Sequence, residues 1–525
     1  MLRRASAFAE IYGPAGADRR VVGVCLHPGR DLHAAFVGGL LAGHIPTMLP
    51  PPSPRMEAAK YARSLLRMME HVHPDILVIS HEIRSRLVAE DLARFEGAAI
   101  VDPGQVGERD LFTGPRQPAD SIAVLQHSSG TTGQQKGIAL SHEAILEHNR
   151  RYTERLEITP ADRIVTWLPL YHDMGFVACF LLPTLDGIPF AEMSPFDWVL
   201  RPVMLLEEIW KQRGTLCWLP NFAFSYLATA IAQSQIPEGL DLSSIRAWIN
   251  CSEPVMPGSI EAFLERFSAY GASRRQITAS YAMAENVYAV TQSKPGSYAT
   301  IRVDRKIFLD DHRAQQATGG DERSLTFVSN GTLLEGCRLR VVDESRRDVS
   351  EGFVGEIAIS GEFRFDGYFR RPDLTAEAID SDGWYYTGDL GFVIDGSLYL
   401  TGRKKDLMII QGRNFYPTDV EEIVRQVEGV NPGRVVAFGI PDETSGTERL
   451  VVLVEALSTC TLPPARLALD IRREISQALD CTAGDVRIVP ERWLVKSTSG
   501  KLARNDNRAK YLDQIVIPTK AAGDV

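Results

Sequence analysis

The residues best suited to chemistry form one run, Ser128-Ser129-Gly130-Thr131-Thr132-Gly133-Gln134-Gln135-Lys136-Gly137. Its glycines let the backbone turn N–H groups toward an anion, its hydroxyls add donors, and Lys136 adds charge. The run does not meet the G-x-x-x-x-G-K-[ST] pattern, so a Walker A loop is excluded. A plain polar turn is the alternative, and the density of donors beside a lysine favours a phosphate cradle. Farther on, Glu285 follows a strand-like Ile277 to Tyr281, Asp389 closes a Thr-Gly-Asp turn, and Lys501 ends a Ser-Gly-Lys loop. Taken singly, these fit a solvated loop residue, an Asx-turn and a surface charge near Lys496 and Arg504. His172 alone reads as a structural hydrogen-bond donor, and Tyr281 as core.

Such loops act only if a scaffold brings them together. Short apolar runs (Val21 to Leu26, Ile76 to Ser80, Ile122 to Leu125, Ile164 to Leu168, Ile245 to Ile249) read as buried strands. Amphipathic stretches between them (Ala58 to His71, Glu143 to Glu154, Pro202 to Lys211, Phe222 to Ile231, Ser259 to Phe267) read as helices. This alternation predicts an α/β fold with helix-covered, mostly parallel sheets. Ligands of such sheets bind at the carboxyl ends of strands, which is where the phosphate run and His172 fall. From about Leu325 the chain turns β-rich, with runs at Leu339 to Val342, Gly355 to Ser360, Leu398 to Leu400 and Leu407 to Ile410. A helix near Asp419 to Val427, strands at Val435 to Phe438 and Leu450 to Leu457, and a helix over Pro464 to Leu479 form a small α+β domain.

With 525 residues the chain has material for three or four core-sized units. Its 44% hydrophobic and 24% charged content is that of a globular protein, which excludes disordered, collagen-like and disulfide-scaffold classes. A formal charge of −10 argues against a nucleic-acid binder, although a locally positive site remains compatible with it. The seven cysteines are scattered without a C-x-x-C pair, which predicts reduced thiols and a cytoplasmic protein. Leu32 to Pro54 lacks charge but carries five prolines and two histidines, so no membrane span is expected there.

The decapeptide resembles the phosphate loop of adenylate-forming enzymes, the superfamily of acyl-CoA synthetases, luciferases and peptide-synthetase adenylation domains. Further segments resemble that family's motifs in order: Tyr171-His172-Asp173-Met174-Gly175, Asn250-Cys251-Ser252-Glu253-Pro254, Tyr281-Ala282-Met283-Ala284-Glu285, Tyr385-Tyr386-Thr387-Gly388-Asp389, Gly402-Arg403-Lys404-Lys405-Asp406 and Ser497-Thr498-Ser499-Gly500-Lys501. His172 to Gly175, Pro220-Asn221-Phe222-Ala223-Phe224 and Gly412-Arg413-Asn414-Phe415-Tyr416-Pro417 are similar to the fatty acyl-AMP ligase branch. The stretch of about 301–329 resembles that branch's insertion. In the family the insertion limits domain rotation and disfavours free CoA as acceptor.

The resemblance implies ATP-dependent activation of a fatty or related carboxylic acid to an acyl-adenylate. Transfer to the phosphopantetheine thiol of a separate acyl carrier protein follows, in natural-product assembly. It implies a large domain of residues 1–402 and a mobile C-terminal domain of 403–525. It assigns ATP phosphates to Ser128, Ser129, Gly130, Thr131, Thr132, Gly133 and Lys136, and Mg²⁺ to Glu285 with Thr131. Ser252, Glu253, Pro254, Tyr281, Ala282 and Met283 would surround adenine, and Asp389 and Arg403 would hold the ribose. Lys501 would bridge the carboxylate and the α-phosphate, His172 would position the acid, and Lys405 would be the hinge. An already ionised carboxylate needs no general base.

Three departures carry expectations of their own. The helix and strand that relatives place before the first core strand are expected to be shortened or lost, because Val21 to Leu26 arrives so early. Trp218, Asn221, Phe222 and Trp248 are expected to line, and the aromatics to narrow, an acyl tunnel suited to a medium-length acid; ordinary core packing is the equal alternative. The chain ends soon after Lys501, so the carrier is expected in trans. An acyl-CoA ligase, or a non-catalytic adenylate-binding protein, is the competing expectation.

Overall fold

The computed structural model describes residues 1–52, 58–87, 97–128, 136–317, 324–410, 413–442, 447–479, 481–496 and 500–516. Two large sheets dominate the chain up to Arg403. The first has seven strands in the order Gly367–Tyr368, Lys136–Ser141, Ile122–Ser128, Ile45–Met48, Val21–Cys25, Ile76–Ile79, Ala99–Val101. From Ile122–Ser128 to Ala99–Val101 the neighbours are parallel, and the other two strands add antiparallel at one edge. Val21–Cys25, Ile45–Met48 and Ile76–Ile79 are buried at every position, as strands covered on both faces require.

The second sheet has eleven strands. Ile277–Ala282, Ala247–Cys251, Leu216–Pro220, Ile164–Thr166 and Phe190–Glu192 pair in parallel. Ala289–Gln292 then folds back on Ile277–Ala282, and the strands beyond it, including Tyr385–Ile394 and Ser397–Arg403, are antiparallel. The β-rich segment is therefore a continuation of the parallel sheet. A short turn, Ala284–Asn286, suffices for that reversal, whereas a parallel neighbour needs a crossover.

The helix expected over Pro464 to Leu479 spans those residues and buries Leu467, Ala468, Ile471, Ile475 and Leu479. That three-and-four spacing puts one apolar face on the sheet of Val430–Asp442, Thr447–Ala456 and Ala483–Val489. Each fully buried leucine or isoleucine contributes ~1.5–3 kcal/mol, so Ile471→Asp would break the unit. This C-terminal core is separate from the larger one that runs from Ala5 to Leu398.

The segment of about 301–329 forms a hairpin of Thr300–Asp304 with Ser324–Val328 and the helix Arg305–Asp311. Its Val303, Phe308, Leu309 and Phe327 pack with Leu390, Phe392, Tyr399 and Tyr416. Polar contacts reinforce this: Arg413 lies 3.6 Å from Asp310, and Asn414 Nδ2 lies 3.3 Å from His312 Nε2.

Before Val21 the described residues hold one helix and no strand. A helix, Leu2–Tyr12, precedes the first strand and packs on Arg30–Leu41 through Ala5, Phe8, Ala9 and Tyr12. Three of its six buried residues are alanine, which gives close helix packing but little hydrophobic contrast. Val21–Cys25 sits between two parallel neighbours, Ile45–Met48 and Ile76–Ile79. The charge-poor stretch is the helix Arg30–Leu41 and the strand Ile45–Met48. Among the described residues no helix is long and apolar enough to cross a membrane. No disulfide links any of the seven cysteines, all of which lie among the described residues.

Candidate active site

Loops at the carboxyl ends of both sheets converge with one loop from the C-terminal unit. Ser128 and Lys136 are the last registered pair of their two strands. Ser129, Gly130, Thr131, Thr132 and Gly133 lie outside the described residues. Ser141 begins the helix after this hairpin by accepting from Ala144 N at 3.2 Å, a cap contributing ~1 kcal/mol. Lys136 Nζ stands 4.3 Å from the centre of the Tyr368 ring. The hydroxyls of Tyr368 and Tyr385 reach the carboxylate of Glu285, which is buried. Burial pushes Glu285 up, Asp173 adds to the shift, and Tyr385 and Lys136 draw it back.

Beside this group runs a linked set. Tyr281 Oη donates to Asp389 Oδ2 at 2.8 Å, and Arg403 Nε lies 3.2 Å from Asp389 Oδ1. Asp389 and Arg403 are cross-strand partners, so sheet register fixes that pairing. Gly388 has φ +72°, a left-handed turn residue, and Thr387 Oγ1 accepts from Asp389 N at 3.1 Å. Each Asp389 oxygen retains a lone pair for a further donor, such as a ribose hydroxyl. Ala282 and Met283 follow Tyr281 at a strand irregularity, half-buried.

The third group joins the two units. Lys501 Nζ donates to the carbonyl of Ser252 at 2.6 Å. Ser252 has φ +70°, a left-handed conformation that L-residues adopt at a cost of about 1–3 kcal/mol and that turns its carbonyl. Its Oγ lies 3.7 Å from Met174 Sδ, which places Lys501 beside the His172–Gly175 segment. His172 Nε2 is buried without a hydrogen-bond partner among the described residues. Burial, helped by Lys501, lowers its pKa to about 3, so the ring is neutral at physiological pH. Burial raises Asp173, with Lys501 opposing, and its Oδ1 accepts from Met174 N at 2.8 Å. Asp173 thereby caps a wide-turn helix, Met174–Leu181. A Cβ at Gly175 would run into the carbonyl of Pro169, so this tight turn requires glycine.

Several expected residues have other partners. Glu253 Oε2 accepts from Phe222 N at 2.9 Å, which caps the helix Asn221–Ala230. Pro254 follows it, half-buried. Asn221 Oδ1 accepts from Asn250 Nδ2 at 3.1 Å and from Met256 N at 3.0 Å, and its Nδ2 donates to Ser259 at 3.0 Å. That side chain locks loops together. Trp218 and Trp248 do not wall one tunnel. Trp248 is registered with Cys217 and Trp218 with Ile249, so the indoles face opposite sides of the sheet. Trp218 Nε1 donates to Tyr152 at 2.9 Å, Trp248 packs on Phe263, and both rings are fully buried.

Phe222 is the aromatic that meets the C-terminal loop. Lys496 Nζ lies 5.4 Å from its ring centre, and a Cβ on Gly500 would sit 3.1 Å from its Cζ. Behind it, Trp167 and Trp198 stack at 3.7 Å, with Phe222 edge-on to both at 6.1 and 6.3 Å. The sequence reading missed Asp173, Tyr368, Tyr385 and Lys496 as site residues. Asp173 and Tyr385 lay inside motifs already singled out; Tyr368 carries no local signal, because its place depends on pairing with Ile138. Among the described residues no group of three or more His, Cys, Asp or Glu forms a metal cage.

Residues 2–369 match the family model described as AMP-binding enzyme. The chain is 31% identical over 533 residues to the probable long-chain-fatty-acid–AMP ligase FadD30 of Mycobacterium tuberculosis, covering 95% of this chain and 88% of that one. It is 31% identical over 495 residues to a putative acyl-CoA synthetase of Caulobacter vibrioides, covering 92% and 84%. A solved structure from work on fatty acyl-adenylate ligases from E. coli and L. pneumophila superposes with a TM-score of 0.88 at 26% identity, covering 98% and 91%.

Proposed function

The chain belongs to the AMP-binding enzyme family, and from that premise we propose that it activates a fatty acid in two steps. A carboxylate oxygen of the acid attacks the α-phosphorus of ATP. The bond from that phosphorus to the bridging oxygen breaks, and pyrophosphate leaves with the electron pair. The phosphopantetheine thiolate of a separate acyl carrier protein then attacks the acyl carbon, and AMP leaves.

The contact of Lys501 with Ser252 O, next to His172, carries this reading. It supports reading this ammonium from the C-terminal unit as the charge that a carboxylate and an α-phosphate would share, where catalysis is charge stabilisation and positioning. Neutral His172 offers its buried Nε2 as a positioning group and not as a base. Asp389 and Arg403 take the ribose, Tyr281 the adenine face, and Ser128, Lys136 and the intervening loop the outer phosphates. Ala282, Met283, Ser252 and Pro254 supply backbone beside the base.

Glu285 would hold magnesium, whose charge would offset the burial that disfavours the bare carboxylate. Bound there with Thr131, it would neutralise charge on the phosphates. Residues 403–525 act as the mobile unit, with Lys405 as hinge. The packing of the 301–329 segment on Tyr416 and Arg413 supports a restrained swing, and hence a carrier arm over free CoA. The name of the Caulobacter relative is what favours CoA as the second reading. Phe222 alone of the four expected acyl-lining residues supports a limit on chain length.

Mass spectrometry of one reaction with Mg-ATP, C6 to C18 acids, CoA and a holo carrier protein tests this. Acyl-AMP and acyl-carrier without acyl-CoA is the expected outcome. Abundant acyl-CoA would overturn the choice of acceptor, and preference for C16 to C18 acids would overturn the length limit. Absence of every adduct would overturn fatty-acid activation.

A further inference from the structure

Side chains around Lys405 divide their contacts between the two units. On its N-terminal side Arg403 is held by Asp389 at 3.2 Å, and Lys404 Nζ by Glu356 at 2.9 Å, both on the large sheet side. Asp406, the next residue, is held by Arg504 Nη1 at 2.9 Å, from the C-terminal unit. Arg504 lies three residues after Lys501. Its other nitrogens are also engaged: Nη2 reaches Glu421 Oε1 at 2.8 Å, and Nε donates to the carbonyl of Ala437 at 3.0 Å. Glu421 Oε1 accepts in addition from Ala437 N at 3.0 Å, which closes a ring of three residues.

The described backbone on either side of Lys501 is tied down from below. Asn507, fully buried, accepts from Val495 N at 2.8 Å and donates to Val495 O at 2.9 Å and to Ala503 O at 2.8 Å. Ala503 N donates to Val495 O at 3.0 Å, and Lys496 and Leu502 form a bridge. Arg504 is thus the joint between this anchored backbone and Asp406. A planar guanidinium with three anchored nitrogens fixes orientation as well as distance, which a lysine cannot reproduce.

We infer that Arg504 is a positioning residue: by clamping Asp406, Glu421 and Ala437 it sets the Lys501 loop rigidly against the first residue past Lys405, so that Lys501 reaches Ser252 without slack. The inference rests on the reading of Lys501 as the catalytic lysine. It predicts that Arg504 acts through Lys501 and adds nothing once Lys501 is gone.

The test is a double-mutant cycle of Arg504→Met and Lys501→Ala, read as pyrophosphate release with excess acid and varied ATP. Arg504→Met is expected to lower kcat at least tenfold with the KM for ATP within twofold of wild type. In the Lys501→Ala background the same change is expected to cost less than twofold, because groups acting as one unit are non-additive. Arg504→Lys should restore only part of the rate. Losses that multiply, or an unchanged kcat in Arg504→Met, would overturn the inference. Wild-type activity in Lys501→Ala alone would instead overturn the reading of Lys501. Should Arg504→Met fail to fold in a thermal melt, Asp406→Asn, which removes one of the three anchors, carries the same cycle and the same expected outcomes.

Discussion

Lys501 and Ser252, 249 positions apart in sequence, meet in one hydrogen bond of 2.6 Å from Nζ to a main-chain carbonyl. The bond depends on a backbone conformation, not on a side chain. Ser252 holds φ +70°, where serine is strained and glycine is not.

Ser252→Gly is therefore expected to leave adenylation within about threefold of wild type, because the backbone can still turn the carbonyl. Ser252→Val, β-branched and ill-suited to that region, is expected to lose activity tenfold or more. Initial rates of pyrophosphate release compare the two. Equal losses would show that the hydroxyl matters and the carbonyl's direction does not.

Asp389→Asn and Tyr281→Phe probe the linked set of Tyr281, Asp389 and Arg403. Hydrogen bonds to a charged group contribute ~1.5–3 kcal/mol, so Asp389→Asn should raise the KM for ATP roughly 10- to 100-fold. Tyr281→Phe removes one neutral donor and should raise it severalfold at most. Isothermal titration with a non-hydrolysable ATP analogue checks both.

Asp419, on the helix Pro417–Arg425, is raised to about 7 by burial, with Glu422 adding and Arg305 opposing. Between its unfolded pKa of about 3.9 and 7, the native chain keeps a proton that the unfolded chain has released. Stability from this group thus falls as pH climbs from about 4 to 7. Asp419→Asn should melt above wild type at pH 8, and the advantage should vanish near pH 4. A constant difference across that range would refute the assignment.

Lys496 is lowered to about 8 by burial, chiefly, with Arg434 adding and Glu253 and Glu455 opposing. Here the unfolded chain binds more protons between 8 and about 10.4, so stability rises with pH over that window. Lys496→Met should be more stable than wild type at pH 7, and the gap should narrow toward pH 10. Melting curves at several pH values follow it. The same change weakens the grip on Phe222, so domain contact and stability should move in opposite directions.

Local pattern made much of the fold legible. The helix over Pro464 to Leu479 has an unbroken apolar face, and Val21–Cys25 is a strand buried at every position, so each could be read alone. Leu2–Tyr12 could not, because alanine packs closely without announcing a face. Among the described residues quoted from motifs, Tyr281 meets Asp389 and Arg403, and Lys501 meets Ser252, pairings that no motif announces. That Asp389 is gripped by both Tyr281 and Arg403 follows from sheet register, and that Tyr368 overlies Lys136 follows from an edge strand returning from 230 positions away. Trp218 and Trp248 misled for the same reason: type and position suggested a tunnel, while strand alternation sends their rings to opposite faces.

Phe222 has a consequence for how the molecule can be watched. It separates the stacked Trp167 and Trp198 from the ammonium of Lys496 and the backbone of Gly500. Indole emission shifts with the electric field around the ring, and lifting the C-terminal loop withdraws a cation and opens this face to solvent. The native chain thus contains its own optical gauge, by which any lifting of that loop would be read in fluorescence with no dye and no introduced cysteine.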